Sequence, residues 1–457
     1  ASLELFTRLA TAQRSNPQLA TSGEAILELC RSLDGLPLAI ELAAARTRSL
    51  SIDEIVRRLD DRPDDRLDVL SDPASRRPER RRSLRSTISW SYELLFPDDQ
   101  RGLWALATFA GGAPLAGVES VLAALEVPSR AAIDVIDRLV SRSLVLVDHE
   151  LGDGSPRYRL LDSIRAFALE ALDAAGWSDR AMGAHASWFA AAATTSTAGV
   201  RSERQGEHLA FARAERANID AALAWYAAHD PRAALDVVNG FGWAWVVLGD
   251  SRGAERLMTA LHGVGDAAPP ADRAGALLRA SWIVASMGDL ELARTYVAAA
   301  EELAVAIDDR ELLARAAYHL AYVVSHDGDF ELGLELTDRS ARLYHGLDRP
   351  WDEATNAMFA ARAAIYGGDA VRGREALDLV GRLLDDTVDD PWLRARNEGM
   401  SGELARIERR FDDAVDHLTR ASELSGRLGF RQTQAYQVSS LGQAQALAGD
   451  DRAGVAT

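Results

Sequence analysis

Apolar residues recur at helical intervals along most of this chain. Near the start Phe6 and Leu9, then Ile26, Leu29 and Leu33, fall three or four apart, the spacing that places side chains on one face of an α-helix. Pro17 breaks the first pattern and Gly35-Leu36-Pro37-Leu38 interrupts the second. An alanine- and leucine-rich helix is predicted over 39–48, and Ser51 with Glu54 three residues on forms a capping box that opens another. Residues 61–85 are poor in apolar positions, hold Pro63, Pro73 and Pro78, and end in Arg76, Arg77, Arg80, Arg81, Arg82 and Arg85, so they read as a linker. Periodicity then returns, predicting helices over 87–95, 98–110, 116–125 and 129–141, a strand over 144–147, a turn over 152–156, a return strand over 158–160 and a helix over 162–175. Helices closed by a β-hairpin describe a winged helix.

Downstream the chain repeats. The dipeptides Gly249-Asp250, Gly288-Asp289, Gly328-Asp329, Gly368-Asp369, Arg409-Arg410 and Gly449-Asp450 are spaced 39, 40, 40, 41 and 40 residues apart. Seven residues before each lies a small residue (Gly242, Ser281, Ala321, Ala361, Gly402, Gly442), and five after it another (Ala254, Ala293, Gly333, Gly373, Ala414, Gly454). Small residues at fixed points on two successive helices let the helices cross closely, as in a helix-turn-helix solenoid. The period exceeds the roughly 34 residues of an ordinary tetratricopeptide repeat. The expected fold is mostly α: a helical small domain over 1–75, a winged helix over 76–176, a helical connector over 177–231, and an α-solenoid of tetratricopeptide-like repeats with a period of about 40 over 232–457. The array is expected to form a right-handed superhelix with first helices lining its concave side. The last repeat lacks most of its second helix, so the natural protein is expected to continue.

Composition narrows the chemistry. Hydrophobic residues make up 47% and charged residues 26%, a globular balance. The net charge of -18 argues against a surface that coats nucleic acid, and no apolar run approaches the ~20 residues of a membrane span. One cysteine, Cys30, among apolar neighbours, reads as an inert buried thiol in a cytoplasmic protein. All 51 basic residues are arginine, so a P-loop, whose lysine reaches the β- and γ-phosphates, cannot lie within the chain. No HExxH, paired CxxC or GxSxG pattern occurs, so neither a metal site nor a catalytic residue is expected, and the chain reads as non-enzymatic. His319 and His326 share a helix face near Asp327 and Asp329, but the Gly-Asp turn already explains those aspartates. The pairs Asp385-Asp386 and Asp389-Asp390 read as solvated loop charges.

Three stretches resemble one family. Leu33-Asp34-Gly35-Leu36-Pro37-Leu38-Ala39-Ile40-Glu41-Leu42 is similar to the GLPL motif in the small helical domain of NB-ARC-like STAND ATPases. Leu84-Arg85-Ser86-Thr87-Ile88-Ser89-Trp90-Ser91-Tyr92, with Phe109-Ala110-Gly111-Gly112 after it, resembles the start of the winged helix in the bacterial, regulator-associated branch. Tyr158-Arg159-Leu160-Leu161-Asp162-Ser163-Ile164 stands where relatives carry Met-His-Asp. The resemblance implies a preceding nucleotide-binding domain that lies outside the chain, with ADP or ATP and Mg held between the parts. It implies a half-site on this chain at Gly35, Leu36, Pro37, Leu38, Arg85, Leu161 and Asp162, with Pro37 against the adenine. Leu161 occupies the family's histidine position and cannot donate a hydrogen bond.

Each sharp reading has a bland counterpart. Gly35-Leu36-Pro37-Leu38 alone is a helix break, and most of the arginine run is a solvated linker face. The helix over 129–141 sets Asp134 and Asp137 against Arg130 and Arg138, and the wing holds Asp148, Glu150 and Asp153, so this winged helix is expected to repel phosphates and to leave DNA to a domain outside the chain. Trp243, Trp245, Trp282, Tyr318 and Tyr322 on first helices read as core by default and otherwise as a groove for a protein or small-molecule signal. The expected function is the switch and sensor portion of a STAND signalling protein, often a LuxR- or SARP-type transcriptional regulator in the bacterial branch, with oligomer formation on activation. The alternatives are the regulatory region of an enzyme such as a nucleotide cyclase or kinase, and a repeat scaffold without nucleotide switching.

Overall fold

A computed structural model of the chain describes residues 2–12, 23–33, 37–47, 50–61, 84–148 and 156–449. The fold is mostly α, and it divides into two compact units between Trp188 and Phe189.

In the first unit, helices α1 (Ser2–Ala12), α2 (Gly23–Ser32), α3 (Pro37–Arg46) and α4 (Ile52–Asp61) form a core in which Phe6, Ile26, Leu29 and Leu33, positions that the helical spacing picked out, are buried with Ile40 and Ile55. Cys30 is buried with them, and burial pushes its thiol pKa up. The Ser51 cap forms as expected, its hydroxyl accepting from the Glu54 amide at 3.1 Å. Most of the arginine run, residues 76–82, lies outside the described residues.

The winged helix comprises α5 (Leu84–Glu93), α6 (Pro97–Ala107), α7 (Leu115–Ala124), a 3-10 turn (Ser129–Ala131) leading into α8 (Ala132–Ser141), and α9 (Asp162–Ala174). Two features differ from the sequence reading. The helix expected to reach 110 stops at Ala107, and the chain enters a short strand β1 (Ala113–Pro114) that was not foreseen. Two residues are too few to display alternation. The expected strand 144–147 also shifts to β2 (Leu146–Asp148), because Leu144 folds back to cap α8, its amide donating to the Leu139 carbonyl at 3.1 Å. With β3 (Arg157–Arg159) these strands make an antiparallel sheet ordered β1-β3-β2, in which Val147 pairs with Tyr158 and Tyr158 with Ala113.

The second unit contains α11 (Gln205–Ala214) and α12 (Arg216–His229), preceded by the end of α10 (Ser178–Gly199). Five helix pairs follow: α13 (Pro231–Leu248) with α14 (Arg252–Val264), α15 (Pro270–Ser286) with α16 (Leu290–Ala306), α17 (Arg310–His326) with α18 (Phe330–Tyr344), α19 (Pro350–Tyr366) with α20 (Ala370–Asp386), and α21 (Pro391–Ile407) with α22 (Phe411–Leu428). The single helix α23 (Arg431–Leu447) comes last among the described elements. The turn dipeptides sit where the spacing put them, and their chemistry is now visible. Gly249, Gly288, Gly328, Gly368 and Gly449 end first helices with φ between 63° and 96°, the left-handed region that glycine enters without a Cβ penalty. The following aspartates cap the second helices: Asp289, Asp329 and Asp369 accept from the amides of Leu292, Leu332 and Arg372 at 3.1, 3.1 and 3.0 Å. At the fifth turn Arg409 holds φ 63° without glycine's freedom, at a cost of about 1–2 kcal/mol.

The small residues do what their register requires. Ser281, Ala321 and Ala361 on first helices, and Ala293 and Ala414 on second helices, are fully buried. A Cβ added at Gly373 would meet Ile365 Cγ1 at 2.6 Å, so the second helix of that pair can approach the first only with a bare backbone there. First helices pack against first helices of the next pair as well as against their own partners, forming an inner layer buried on several sides. Replacing Ala321 by leucine should overpack this layer and cost roughly 1–3 kcal/mol, whereas Arg342→Leu on the exposed face of α18 should stay within about 0.5 kcal/mol. Urea denaturation of both variants checks this; equal, small effects would refute the repeat register.

Candidate functional site

The inner layer curls until it meets itself. Trp243 on α13 packs edge-on against Trp282 on α15, Trp351 on α19 and Trp392 on α21, with ring centroids 5.1, 4.9 and 5.1 Å apart and planes 78–89° to each other. The first, second, fourth and fifth pairs therefore converge on one aromatic axis, in the edge-to-face geometry that aromatic quadrupoles favour. Trp282 extends the cluster to Tyr322 and Phe359, each at 5.1 Å. This corrects the picture of an open concave groove. Trp243, Trp245 and Tyr318 are buried packing residues at 5%, 1% and 1% exposure; of the five aromatics singled out, Trp282 and Tyr322 reach a cavity wall.

A polar clasp holds the curl closed. Asp390 is fully buried, not a solvated loop charge. Its Oδ1 caps α21, accepting from the amides of Trp392 and Leu393 at 2.8 and 3.1 Å, and also accepts from Gln205 Nε2 at 3.0 Å. Its Oδ2 accepts from Trp351 Nε1 at 2.5 Å. Gln205 Oε1 in turn accepts from the Trp392 amide at 2.8 Å. Helices α11, α19 and α21 are thus joined through one carboxylate, whose pKa burial raises against these donors.

On one side of the aromatic axis lies a cationic cluster. The Arg201 guanidinium stands 3.7 Å from the Trp351 ring centroid. Arg279 donates to Asn239 Oδ1 at 3.0 Å; burial first, then Arg315 and Arg201, push its pKa down to about 9, so it stays charged at neutral pH. Tyr318 donates to the buried carboxylate of Asp352 at 3.1 Å. His319 is 3% exposed, touches Ser281 Oγ at 3.3 Å, and is held well below its ordinary pKa by burial and by Arg315, Arg279 and Arg201.

On the other side opens a cavity of about 280 Å³, walled by α13, α15, α17, α19, α21 and α23. Its lining includes Arg362, Arg396 and Arg431 and, among the described residues, no carboxylate. Arg362 stacks on Tyr366 and Arg396 on Trp392, each 5.1 Å from guanidinium to ring centroid. The Nε–H of each has no hydrogen-bond partner. Burial, and then Arg362, lower the pKa of Arg396 against the opposing pull of Tyr322. At the rim, His326 Nδ1 lies 2.9 Å from the Tyr322 carbonyl, and partial burial together with Arg362 pushes its pKa down to about 4. The ring is therefore neutral near pH 7, with the Nδ1 proton donated to the carbonyl and Nε2 left as an acceptor. Neither arginine was singled out from the sequence. The available signal was position: Arg362 is flanked three and four residues away by Phe359, Met358, Ile365 and Tyr366, and Arg396 by Leu393, Trp392, Gly399 and Met400, so both sit on an apolar stripe.

The residues proposed for a nucleotide half-site lie in the first unit. Gly35 and Leu36 fall outside the described residues, and Pro37 and Leu38 begin α3. Arg85 on α5 is engaged in a bidentate ion pair with Glu170 on α9, one of whose bonds is 3.1 Å. Leu161 caps the start of α9 and Asp162 is its first residue, roughly 12 Å along the helix from Glu170 at 1.5 Å per residue. Arg85 and Asp162 are thus not brought together. The charge balance of α8 is partly structural: Arg138 donates to the fully buried Asp99 at 2.7 and 2.8 Å. Among the described residues no group of three or more His, Cys, Asp or Glu could hold a metal ion, and no helix is long and apolar enough to cross a membrane.

No protein-family model matches the chain. It is 36% identical over 224 residues, 49% of its length, to "Putative HTH-type transcriptional regulator Rv0890c" of Mycobacterium tuberculosis, and covers 24% of that protein. It is 40% identical over 179 residues to "Uncharacterized protein Rv0894" of the same organism, covering 39% of this chain and 44% of that one. The chain thus spans a quarter to under half of the curated relatives it matches. Among solved structures, a STAND protein with a tetratricopeptide repeat sensor from Pyrococcus horikoshii aligns over 97% of this chain and 63% of its own at 11% identity with a TM-score of 0.41. A Rap protein complexed with Competence and Sporulation Factor aligns over 93% and 99%, at 11% identity and a TM-score of 0.40. Superpositions this loose leave the fold to be read from the chain itself.

His319 makes a pH prediction. In the unfolded chain it takes up a proton near pH 6.5, while burial holds it neutral in the fold below that pH, so its stabilising share is present above that pH and is lost progressively as pH falls. Urea unfolding at about pH 7.5 and 5, followed by tryptophan fluorescence, should show the parent losing more stability on acidification than His319→Gln. Equal losses would refute a neutral, buried His319.

Proposed function

We propose that this chain is the signal-receiving region of a larger protein that regulates transcription, with the repeat unit as the receptor. The observation that carries this reading is the cavity ringed by six inner helices, whose wall holds two arginines without ionic partners. A solenoid that needed only to hold itself together would have no reason to keep such charges on its inner stripe. The similarity to a protein named as a transcriptional regulator supplies the output class. In this reading the winged helix relays the signal to a nucleotide-binding domain outside the chain, with Pro37 and Asp162 on the side facing ADP or ATP. The chain itself performs no chemistry. Its α8 is not a DNA reader: Arg138 is committed to Asp99, and the exposed Asp134 and Asp137 would face phosphate.

Two measurements test the reading. The purified chain should release no phosphate from ATP above buffer background, because phosphoryl transfer needs a positioned cation, metal ligands and an oriented nucleophile; release abolished by a substitution within the chain would overturn it. In the complete natural protein, deleting residues 231–447 should leave the target transcripts unresponsive to growth conditions. A response that survives the deletion would refute the receptor role.

A further inference from the structure

The chemistry of the cavity points to the class of signal. Three arginines line it in a chain whose net charge is -18, and among the described residues no carboxylate joins them. Glu403, beside the Tyr366–Tyr436 pair, is already engaged: its Oε2 accepts from Arg406 at 2.6 Å and its Oε1 from the Tyr436 hydroxyl at 3.5 Å. Tyr436 also shares a 2.5 Å hydrogen bond with Tyr366, the ring on which Arg362 stacks. The cation–π contact holds each guanidinium over an aromatic ring and leaves N–H groups for other partners. Neither Arg362 nor Arg396 is ion-paired or hydrogen-bonded to any described residue. Two like charges in a half-buried wall repel, and an anion between them would remove that repulsion while accepting several charge-assisted hydrogen bonds. The wall also holds the aromatic and apolar side chains of Trp282, Trp392, Tyr322, Met400 and Phe430, beside the polar Ser286, Thr433 and Gln437.

We propose that this cavity binds a small organic anion, its carboxylate or phosphate held by Arg362 and Arg396 and its aromatic or apolar body packed on Trp282, Trp392 and Tyr322. The proposal rests on the receptor reading above and names its ligand class. The size suits a small molecule: about 280 Å³ lies at the small end of ligand cavities, with Trp282 and Trp392 in its wall. Neutral His326, at the rim, adds an acceptor for a hydroxyl or N–H on the ligand without competing for the negative group.

The test uses the 457-residue chain and three probes of one shape: phenylacetate, phenyl phosphate and neutral phenylacetamide. Trp282 and Trp392 line the cavity, so binding is read by tryptophan fluorescence and by calorimetry. At least one anion should bind, and the amide should bind at least roughly tenfold more weakly, since it lacks the charge that two guanidinium groups recognise. Tighter phenyl phosphate would assign the source to phosphate esters, tighter phenylacetate to carboxylates. Arg362→Gln and Arg396→Gln should each lower anion affinity by roughly tenfold or more. Their melting temperatures without ligand should be unchanged or higher, because a like-charge contact is relieved; Arg342→Gln serves as control. Equal binding of amide and anions, unaltered affinity in both variants, or no anion binding up to about 10 mM would overturn the proposal. If the anion binds but repeat deletion leaves transcription responsive, the ligand assignment stands and the receptor reading falls. If the anion fails while the deletion abolishes the response, the reverse holds.

Discussion

The second unit depends on one set of contacts, the edge-to-face packing of Trp243 on Trp282, Trp351 and Trp392. Pairwise stacking of neighbouring repeats would be satisfied by many pitches, and each would leave an open inner surface. The tryptophans select a tight one, because only a coil that brings the first pair against the fifth can pack all four rings together. Everything of functional interest follows from that choice. The axis becomes solid, the arginines on the inner stripe are separated into two clusters, and the remaining inner volume shrinks to a cavity of molecular size.

How much of this was legible in the sequence depends on the range of the interaction. The turns are local: a left-handed residue followed by a helix-capping aspartate is written in two adjacent letters, so the 39–41 residue period placed every described helix pair correctly. The small residues that sit opposite each other were equally readable, since both partners lie within a dozen residues. The pitch was not, because it accumulates from small rotations across several repeats and no short window contains it. For the same reason Asp390 looked like a loop charge. Its cap on α21 before Pro391 was readable, but its burial depends on Gln205, far away in the chain. In the winged helix the third strand escaped notice because two residues carry no periodicity. Arg85, singled out for phosphate, meets Glu170.

The arginines show how one residue type is used in three ways. Some form exposed pairs, such as Arg204 with Glu207, which contribute little. Some are structural anchors: Arg256 is buried between Asp220 and Asp250, and Arg138 meets buried Asp99. A third group sits on aromatic faces inside the coil, where a guanidinium tolerates dehydration better than an ammonium because it is weakly hydrated and can stack. A chain without lysine has only this cation to place in its interior, and the inner aromatics give it somewhere to lie.

The clasp at Asp390 also constrains how the protein is made. Gln205 and the carboxylate it binds are separated by 185 positions. A nascent chain can build each helix pair as it leaves the ribosome, but Trp243 and Gln205 must wait for their partners. At roughly 5–20 residues per second that wait is on the order of ten to forty seconds, during which a tryptophan-rich inner surface stays open to water. The early repeats are therefore substrates for a chaperone, or for a neighbouring nascent chain, until the fifth pair arrives, and a translational pause placed before Pro391 would lengthen that exposure more than a pause anywhere after it.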